Sequence, residues 1–281
     1  MEEIKVNSNG KINLSLDILY KREDGYHEIE SVMQEVDLAD RLTFKRRKEG
    51  LTIKSNSSGI PLDENNLVYK VWQRMCRYTG RKEGLEVYIE KNIPVGAGLA
   101  GGSSNAAATF KAINKLWDLN LEEDKLCELG EELGADIPFC IKGGTCLAKG
   151  IGGDLEELEA LKDVNILLYN PGFQVSTPDA YRLVDLDRPR QDLKELIKAI
   201  GAGDINGVAS NIANKMERGV IKQYPRIGRI KRDALLEGAL ASLMTGSGPT
   251  VFAIFEDEET MYKAARKLGK KYPFVFPCKT V

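Results

Sequence analysis

The sequence predicts a mixed α and β (α+β) fold built from two domains. Apolar and polar residues alternate in two regions, residues 11–19 and 85–89, as they do in β-strands. Residues 68–78 and 106–117 instead place apolar side chains at intervals of three and four, the spacing of amphipathic helices. A chain of 281 residues is longer than one ordinary core favours, so we expect two domains.

The first part of the chain is predicted to form strands followed by a helix. Residues 11–19 are expected to be a half-buried strand, and a turn at KREDGYH leads to a second apolar stretch at residues 32–38. Residues 51–53 extend the β pattern weakly. The turn PLDENN then precedes the helix of residues 68–78.

A strand at residues 85–89 leads into the segment IPVGAGLAGGSSNAA, whose residues 94–104 we call the glycine loop. We expect a helix from about Ser103 to Asp118, so the loop opens onto a helix N-terminus. A second amphipathic helix is expected at residues 122–133, and it ends at the segment GADIP.

The second half of the chain is predicted to alternate strands and helices. Closely spaced glycines between residues 143 and 153 indicate tight turns around a short strand, and the acidic residues 154–163 suggest a domain border. The expected elements beyond it are a strand at 164–169, a loop containing proline, helical segments at 193–200 and 234–240, a turn at TGSGPT, a strand at 251–255, a helix at 260–270 and a last strand.

Charge and composition disfavour several classes of function. The 40 basic and 42 acidic residues are scattered, so no basic track predicts binding to nucleic acid or to an anionic membrane. The N-terminus shows no signal sequence and no long apolar run follows, so we expect a cytoplasmic protein that acts on a small molecule. The five cysteines lack a CxxC pair and are expected to be reduced core residues: Cys76, Cys127, Cys140, Cys146 and Cys278.

The glycine loop contains the pattern G-x-G-x-x-G, which alone is a weak signal. A dinucleotide-binding fold would continue with a buried strand where a helix is predicted here, a protein kinase would need VAIK and HRD motifs, and no Walker motif occurs. Close packing at a strand-to-helix turn is the structural alternative. The density of glycine and serine before a helix N-terminus favours backbone amides that bind phosphate.

Three segments resemble the superfamily of galactokinase, homoserine kinase, mevalonate kinase and phosphomevalonate kinase, the GHMP kinases. They are SNGKINLSLDI, the glycine loop and TGSGPTVFAIF, and they occur in the expected order. Within the superfamily, KINLSLDILYKREDGYHEI and GADIPFCIKGGTCLAKGIG are most similar to the branch that phosphorylates the 2-hydroxyl of 4-diphosphocytidyl-2-C-methyl-D-erythritol in non-mevalonate isoprenoid biosynthesis. Ala97 and Ala100 depart from the glycines that relatives carry, and PDAY after Thr177 differs from commoner spellings.

The resemblance implies the two-domain GHMP kinase fold, with the active site in the cleft between the domains. Residues 1–156 would be the N-terminal ATP-binding kinase domain, ribosomal protein S5 domain 2-like, and residues 157–281 the ferredoxin-like C-terminal GHMP kinase domain. The implied cofactors are ATP and Mg²⁺. The implied partner is a cytidine diphosphate-linked methylerythritol, and the chain would act as a monomer or weak homodimer.

The resemblance also implies the catalytic residues. Asp136 would receive the proton of the acceptor hydroxyl, and Lys11 would lie beside it and stabilise the developing alkoxide. The simpler alternatives are that Asp136 caps a helix or turn and that Lys11 is a solvated residue at the start of a strand. Ser103 and Ser104 would lie near the triphosphate, with Ser104 as the metal ligand, although serine is also a good helix N-cap.

The remaining candidate residues bind the nucleotide and the acceptor. The ATP site implied by the resemblance consists of Pro94, Val95, Gly96, Ala97, Gly98, Leu99, Ala100, Gly101, Gly102, Ser103, Ser104 and, near adenine, Asn66. The acceptor site consists of Tyr26, His27 and Tyr181 for cytidine, with Asn13 and Thr177 for the methylerythritol or diphosphate part. Three alternatives remain: a superfamily kinase for homoserine, mevalonate or a sugar, a metabolite sensor without catalysis, and a dehydrogenase that binds nicotinamide.

Overall fold

The computed structural model describes residues 2–281 as an alternation of strands and helices. The strands are β1 (Glu3–Lys21), β2 (His27–Arg47), β3 (Leu51–Ser55), β4 (Gly84–Glu90), β5 (Thr145–Gly150), β6 (Asp154–Glu157), β7 (Asn165–Asn170), β8 (Ala213–Asn214), β9 (Ala241–Met244), β10 (Val251–Phe255) and β11 (Phe274–Lys279). The helices are α1 (Leu67–Thr79), α2 (Gly101–Leu116), α3 (Glu123–Glu131), α4 (Ile137–Lys142), α5 (Thr177–Arg182), α6 (Lys194–Gly201), α7 (Ile205–Asn211), α8 (Glu217–Gln223), α9 (Pro225–Leu236) and α10 (Glu258–Leu268).

The chain divides into two compact units, each made of three separate segments. Unit 1 consists of Met1–Gly10, Leu38–Val95 and Ala100–Gly143, and unit 2 consists of Lys11–Asp37, Gly96–Leu99 and Gly144–Val281. The strands β1 and β2 and the glycine loop therefore contribute residues to both units. The predicted domain boundary between residues 156 and 157 stays a prediction.

Unit 1 packs helices against strands around an apolar core. The second half of β2 pairs antiparallel with β4, which places Phe44 opposite Val87, and β3 pairs parallel with β4. The apolar faces of α1 and α2, including Val71 and Phe110, are fully buried in this core. The sequence folds this way because the strands and helices carry apolar residues at the periods of two and of three to four that one buried face requires.

Unit 2 contains a four-stranded antiparallel sheet in the order β11-β7-β10-β9. The helices α9 and α10 pack on it, and the five residues of β10 are all buried. Also in unit 2, β5 pairs with the first half of β2 and with β6, and β8 pairs with β1 at Ser15 and Leu16. The α+β fold predicted from the sequence is confirmed.

Most long elements of the first half were predicted correctly, and several short ones of the second half were not. The acidic segment predicted as a border contains β6, and the proline-containing loop predicted after residue 169 contains α5. The helical segment predicted at 234–240 is wrong, because α9 begins at Pro225 and ends at Leu236. Proline lacks a backbone N–H and so fits the first turn of a helix, which makes it a start signal here.

Strand β1 differs from the half-buried strand that its alternation predicts. The apolar face is buried, as expected, but the polar face is buried too: Lys11 and Asn13 are 4 % and 2 % exposed, and Ser15 and Asp17 are no more exposed. Buried polar groups require hydrogen-bond or ionic partners. Each of these four side chains has one, and this polar row begins the candidate site.

Candidate functional site

The end of the glycine loop in unit 1 is shaped as a helix start. Ala100 has a left-handed φ of 55° and is the N-cap of α2, with no side-chain cap hydrogen bond. The helix thus begins at Gly101, before the predicted start, and the alternative that Ser103 or Ser104 is the N-cap is wrong. The first N–H groups of a helix lack intrahelical partners and carry partial positive charge, so this end suits a polyanion.

A buried ion pair lies next to this helix start. Lys91 pairs with Asp40, whose carboxylate also accepts hydrogen bonds from the backbone N–H groups of Asn92 at 2.7 Å and Ile93 at 2.8 Å. A Cβ atom at Gly101 would lie 2.9 Å from Lys91 Nζ. The close approach explains the glycine, and the carboxylate fixes the chain just before the loop.

In unit 2, the middle of the glycine loop packs against the turn at residues 245–250. Gly98 has a φ of 76°, and a Cβ atom there would lie 2.6 Å from the carbonyl oxygen of Thr245. Its neighbour Leu99 accepts a hydrogen bond of 3.1 Å from the backbone N–H of Lys11. The three segments that carry the resemblance therefore meet within this unit.

The side chains of Lys11 and Asn13 form one polar cluster with that turn. Lys11 Nζ donates to Asn13 Oδ1 at 2.7 Å, and Asn13 Nδ2 donates to Ser31 Oγ at 2.8 Å. The backbone N–H of Asn13 donates to Thr245 Oγ1 at 2.9 Å. Because Lys11 is buried, the alternative of a solvated lysine is wrong.

Three of the predicted acceptor-site residues make contacts in unit 2. The rings of His27 and Tyr181 stack with centroids 4.5 Å apart and an interplanar angle of 22°. On the same helix as Tyr181, Thr177 Oγ1 lies 3.1 Å from Ser247 Oγ of the turn. These contacts place an aromatic pair and a hydroxyl pair at the two ends of α5.

The hairpin that carries His27 leaves the ring of the preceding residue, Tyr26, accessible. Tyr26 is 61 % exposed, and its backbone N–H donates to Asp24 Oδ1 at 3.0 Å. Burial and, next, the positive charge of Lys21 lower the pKa of His27 below its usual value. The imidazole is therefore neutral at physiological pH, with one nitrogen that donates and one that accepts.

Asp136 lies in unit 1, at the residue before α4, and is half-buried. Its side chain makes no cap hydrogen bond, so the capping alternative is not supported by the geometry. The backbone around it is fixed, since its carbonyl accepts from the N–H of Cys140 at 3.1 Å and Pro138 is buried in the first turn of the helix. Its predicted proximity to Lys11, which belongs to unit 2, stays a prediction.

Asn66 and Ser104 have structural partners in unit 1. Asn66 is the N-cap of α1: its Oδ1 accepts from the N–H of Val68 at 2.9 Å, and its Nδ2 donates to Pro61 O at 2.6 Å. Ser104 Oγ lies 2.7 Å from Ser8 Oγ. Whether Asn66 also contacts adenine and Ser104 a metal stays a prediction.

The donor set near the loop fits a magnesium ion that arrives with a nucleotide. Among residues 2–281, no group of three or more His, Cys, Asp and Glu side chains could hold a metal ion by itself. The hydroxyl oxygens of Ser103 and Ser104 in the first turns of α2 are hard oxygen donors, which Mg²⁺ takes together with phosphate oxygens and waters.

Several residues at the site were not singled out from the sequence. Thr245 and Ser247 belong to the TGSGPT turn, which was recognised as a motif without a role for individual residues. Gln174 lies against the loop, since a Cβ atom at Gly96 would lie 2.9 Å from its Cδ. Asp40 belongs to no recognisable sequence motif, and only the structure shows that it contacts the residues just before the loop.

Two family models match the chain. The model for the GHMP kinases N terminal domain matches residues 66–144, and the model for the GHMP kinases C terminal domain matches residues 192–273. The first match contains the glycine loop and Asp136, and the second contains the turn at residues 245–250. In the part of the chain that the structure describes, no helix is long and apolar enough to cross a membrane.

Curated relatives match almost the whole chain. A 4-diphosphocytidyl-2-C-methyl-D-erythritol kinase of Clostridioides difficile is 45 % identical over 280 residues, covering 98 % of this chain and 95 % of its own. One of Syntrophomonas wolfei is 46 % identical over 268 residues, covering 95 % and 94 %.

Solved structures share the fold. The crystal structure of a 4-(cytidine 5'-diphospho)-2C-methyl-D-erythritol kinase superposes with a TM-score of 0.86 at 29 % identity, covering 99 % of both chains. A homoserine kinase from Cytophaga hutchinsonii superposes with a TM-score of 0.78 at 22 % identity, covering 99 % of this chain and 93 % of its own. At that identity the second match shows the fold alone.

Proposed function

Because the chain belongs to the GHMP kinases, and among them to the 4-diphosphocytidyl-2-C-methyl-D-erythritol kinase family, we propose that it phosphorylates the 2-hydroxyl of 4-diphosphocytidyl-2-C-methyl-D-erythritol with ATP. The observation that carries the proposal is the contact in unit 2 between Lys11, the glycine loop and the 245–250 turn. Phosphoryl transfer depends mainly on alignment and charge neutralisation, and this cluster supplies both a cation and oriented backbone groups.

In this proposal, the glycine loop and the start of α2 bind the triphosphate. Positive φ angles at Gly96 and Gly98 turn the backbone so that it can follow phosphate oxygens closely. The partial positive charge at the helix N-terminus stabilises the negative charge that they carry. Magnesium, when bound, would neutralise further phosphate charge, held by hydroxyl oxygen from Ser104 or Ser103.

Asp136 and Lys11 act on the acceptor hydroxyl. Asp136 accepts its proton as the phosphorus–oxygen bond forms, and the rigid backbone before α4 fixes the carboxylate. Lys11 stabilises the developing alkoxide, and Asn13 holds its ammonium through the 2.7 Å hydrogen bond. The absence of a capping bond at Asp136 and the burial of Lys11 support these roles.

The stacked pair of His27 and Tyr181 supports selection of cytidine. A pyrimidine can stack on an aromatic ring, and the neutral imidazole can donate to or accept from the base edge. Tyr26 offers a further ring. We propose that Thr177 and Asn13 contact the diphosphate or methylerythritol part, since both hydrogen-bond to residues of the 245–250 turn.

We also propose a cytoplasmic enzyme that acts as a monomer or weak homodimer. The balanced and scattered charge supports a protein without a nucleic-acid or membrane surface.

The test is ADP release from ATP with the cytidine diphosphate substrate, compared with homoserine, mevalonate and galactose. We expect turnover with the first acceptor alone. Tyr181→Ala should raise KM for that acceptor by about 5- to 150-fold, as loss of ~1–3 kcal/mol of base stacking predicts, and leave KM for ATP unchanged. Turnover with another acceptor would favour a different GHMP kinase, and nucleotide binding without ADP release would favour a sensor.

A further inference from the structure

Three buried polar side chains in unit 1 form a hydrogen-bond chain at the start of α2. Ser8 Oγ, on β1, lies 2.7 Å from Ser104 Oγ and donates to Asn105 Oδ1 at 2.8 Å. The exposed fractions of Ser8, Ser104 and Asn105 are 2 %, 4 % and 4 %. The chain therefore links a strand to the helix turn that follows the glycine loop.

The number of hydroxyl protons determines which group donates in each of these hydrogen bonds. A serine hydroxyl has one proton, and an amide oxygen can only accept a hydrogen bond. Since Ser8 gives its proton to Asn105 Oδ1, the short contact between the two serines needs the proton of Ser104. The Ser104 oxygen is left with lone pairs and with no proton to give to another partner.

We propose that Ser8 is a positioning residue that holds the Ser104 hydroxyl as an acceptor directed at a divalent cation. This inference rests on the proposed function, because the cation is the Mg²⁺ that accompanies the nucleotide. A phosphate oxygen would need a donor, and Ser104 has already committed its only proton. Mg²⁺ binds oxygen lone pairs. The direction of these hydrogen bonds therefore favours a metal ion over a phosphate oxygen as the partner of Ser104.

If the donors and acceptors of these hydrogen bonds were exchanged, Ser104 would be expected to bind phosphate and not the metal ion. If the amide nitrogen of Asn105 donated to Ser8, Ser8 would donate to Ser104, and the Ser104 proton would be free to bond a phosphate oxygen. Removal of Ser8 would then alter nucleotide binding without metal. The two directions can be separated by measuring nucleotide affinity with and without Mg²⁺.

The experiment is calorimetric titration of the full-length protein with ADP, once in EDTA and once with saturating Mg²⁺. The ratio of the two Kd values measures how strongly metal and nucleotide are coupled. We expect Ser104→Ala and Ser8→Ala each to reduce that ratio by about tenfold, as loss of residues that orient metal ligands does. The Kd in EDTA should stay within about twofold of wild type, since phosphate contacts are intact.

Three control variants test the positioning role. Ser8→Thr keeps a hydroxyl and should keep the ratio. The double variant of Ser8→Ala with Ser104→Ala should match Ser104→Ala alone, because Ser8 acts through Ser104. Ser242→Ala in unit 2 removes a buried hydroxyl that has no hydrogen-bond partner, and it should change neither Kd.

An unchanged ratio in Ser8→Ala, or an equal loss of affinity in EDTA, would overturn the inference. In both cases the proposed kinase function would survive if wild type still released ADP with its acceptor. A wild-type protein that bound ADP equally well with and without Mg²⁺ would contradict the metal role of Ser104 and the inference together. Thermal melting of each variant checks that the changes are not due to unfolding.

Discussion

Two lysines are almost fully buried near the glycine loop, and they differ in what neutralises them. Lys91, in unit 1, is ion-paired with Asp40, which is itself 0 % exposed. Lys11, in unit 2, donates to the neutral amide oxygen of Asn13, and no carboxylate among the described residues of that unit pairs with it. A third buried lysine, Lys215, has the carboxylate of Asp17 at 3.2 Å.

The difference separates a structural charge from a functional one. A buried ammonium is expensive unless a negative charge compensates it, so the Lys91 and Lys215 pairs are complete in the protein alone. Within unit 2, the hydrogen-bond partner of Lys11 is polar but uncharged. We infer that its counter-charge comes from the reacting phosphate, which is what a group that stabilises a transition state requires.

The largest expected effect is that of Asp136→Asn. If this carboxylate accepts the proton of the acceptor hydroxyl, kcat should fall by about 100- to 10,000-fold while ADP affinity stays near wild type. Initial rates of ADP release and calorimetric titration measure the two quantities. A near-normal rate would remove Asp136 from the role of base.

Lys11→Met should lower kcat by about 100- to 1,000-fold, the usual loss when one group that stabilises transition-state charge is removed. It should leave the melting temperature unchanged or raise it, because a buried charge without a carboxylate partner in its unit is removed. Rate measurements and calorimetric melting test both halves. A stable, active variant would contradict the proposed role.

Lys91→Met, in contrast to Lys11→Met, should reduce the stability of the fold. It leaves the Asp40 carboxylate buried without its cation, which lowers the free energy of unfolding by about 3–5 kcal/mol. Chemical denaturation followed by circular dichroism measures this loss. Should Lys91→Met instead lose only activity and keep its stability, the contrast between the two lysines would collapse.

Gly98→Ala should weaken ATP binding by about tenfold or more, or ~1.4 kcal/mol, because the added methyl would meet the Thr245 carbonyl and displace the loop. Gly50→Ala is a matched control: its φ of 72° resembles the 76° of Gly98, but no atom lies within 4 Å of the added methyl. The control should lose only about 1 kcal/mol of stability, because alanine is strained at a positive φ. Equal effects on ATP affinity would show that strain alone, and not contact with the turn, matters.

The smallest expected effect concerns His27, the single histidine of the chain. Burial and the charge of Lys21 lower its pKa below 6.5, so the unfolded chain binds its proton more readily and folded stability falls as the pH drops below that value. Proton NMR of the imidazole measures the pKa directly. Lys21→Gln should raise it, and a pKa above 6.5 in the wild type would contradict the burial of this ring.

Periodicity and motifs predicted a large part of the fold. The helix at residues 68–78 and the strands at 85–89 and 251–255 were predicted within a few residues, because each has one clear apolar period and is bounded by turn residues. The superfamily and the α+β class were also predicted, and the family matches bear them out. The elements α7, β8 and α8 were missed, since two to seven residues are too few to show a period.

The sequence predicted which segments contribute to the site, but not the contacts between them. Lys11, the glycine loop and the 245–250 turn were recognised, but contacts between residues that lie far apart in the sequence leave no local signal. The burial of Lys11 was hidden for the same reason: the alternating pattern of β1 is that of a strand with one wet face. Partners of that face come from distant segments: Gln191 accepts from Ser15, and Lys215 pairs with Asp17.

The interleaving of the two units limits how this enzyme can be recombined. Each unit draws on three stretches of chain, and four residues of the glycine loop belong to unit 2 while both flanking stretches belong to unit 1. A single crossover with a homologous gene would therefore give every chimera at least one unit assembled from two parents. Grafting a new acceptor specificity onto this scaffold calls for several coordinated exchanges, including the short stretch Gly96–Leu99, and not for one cassette.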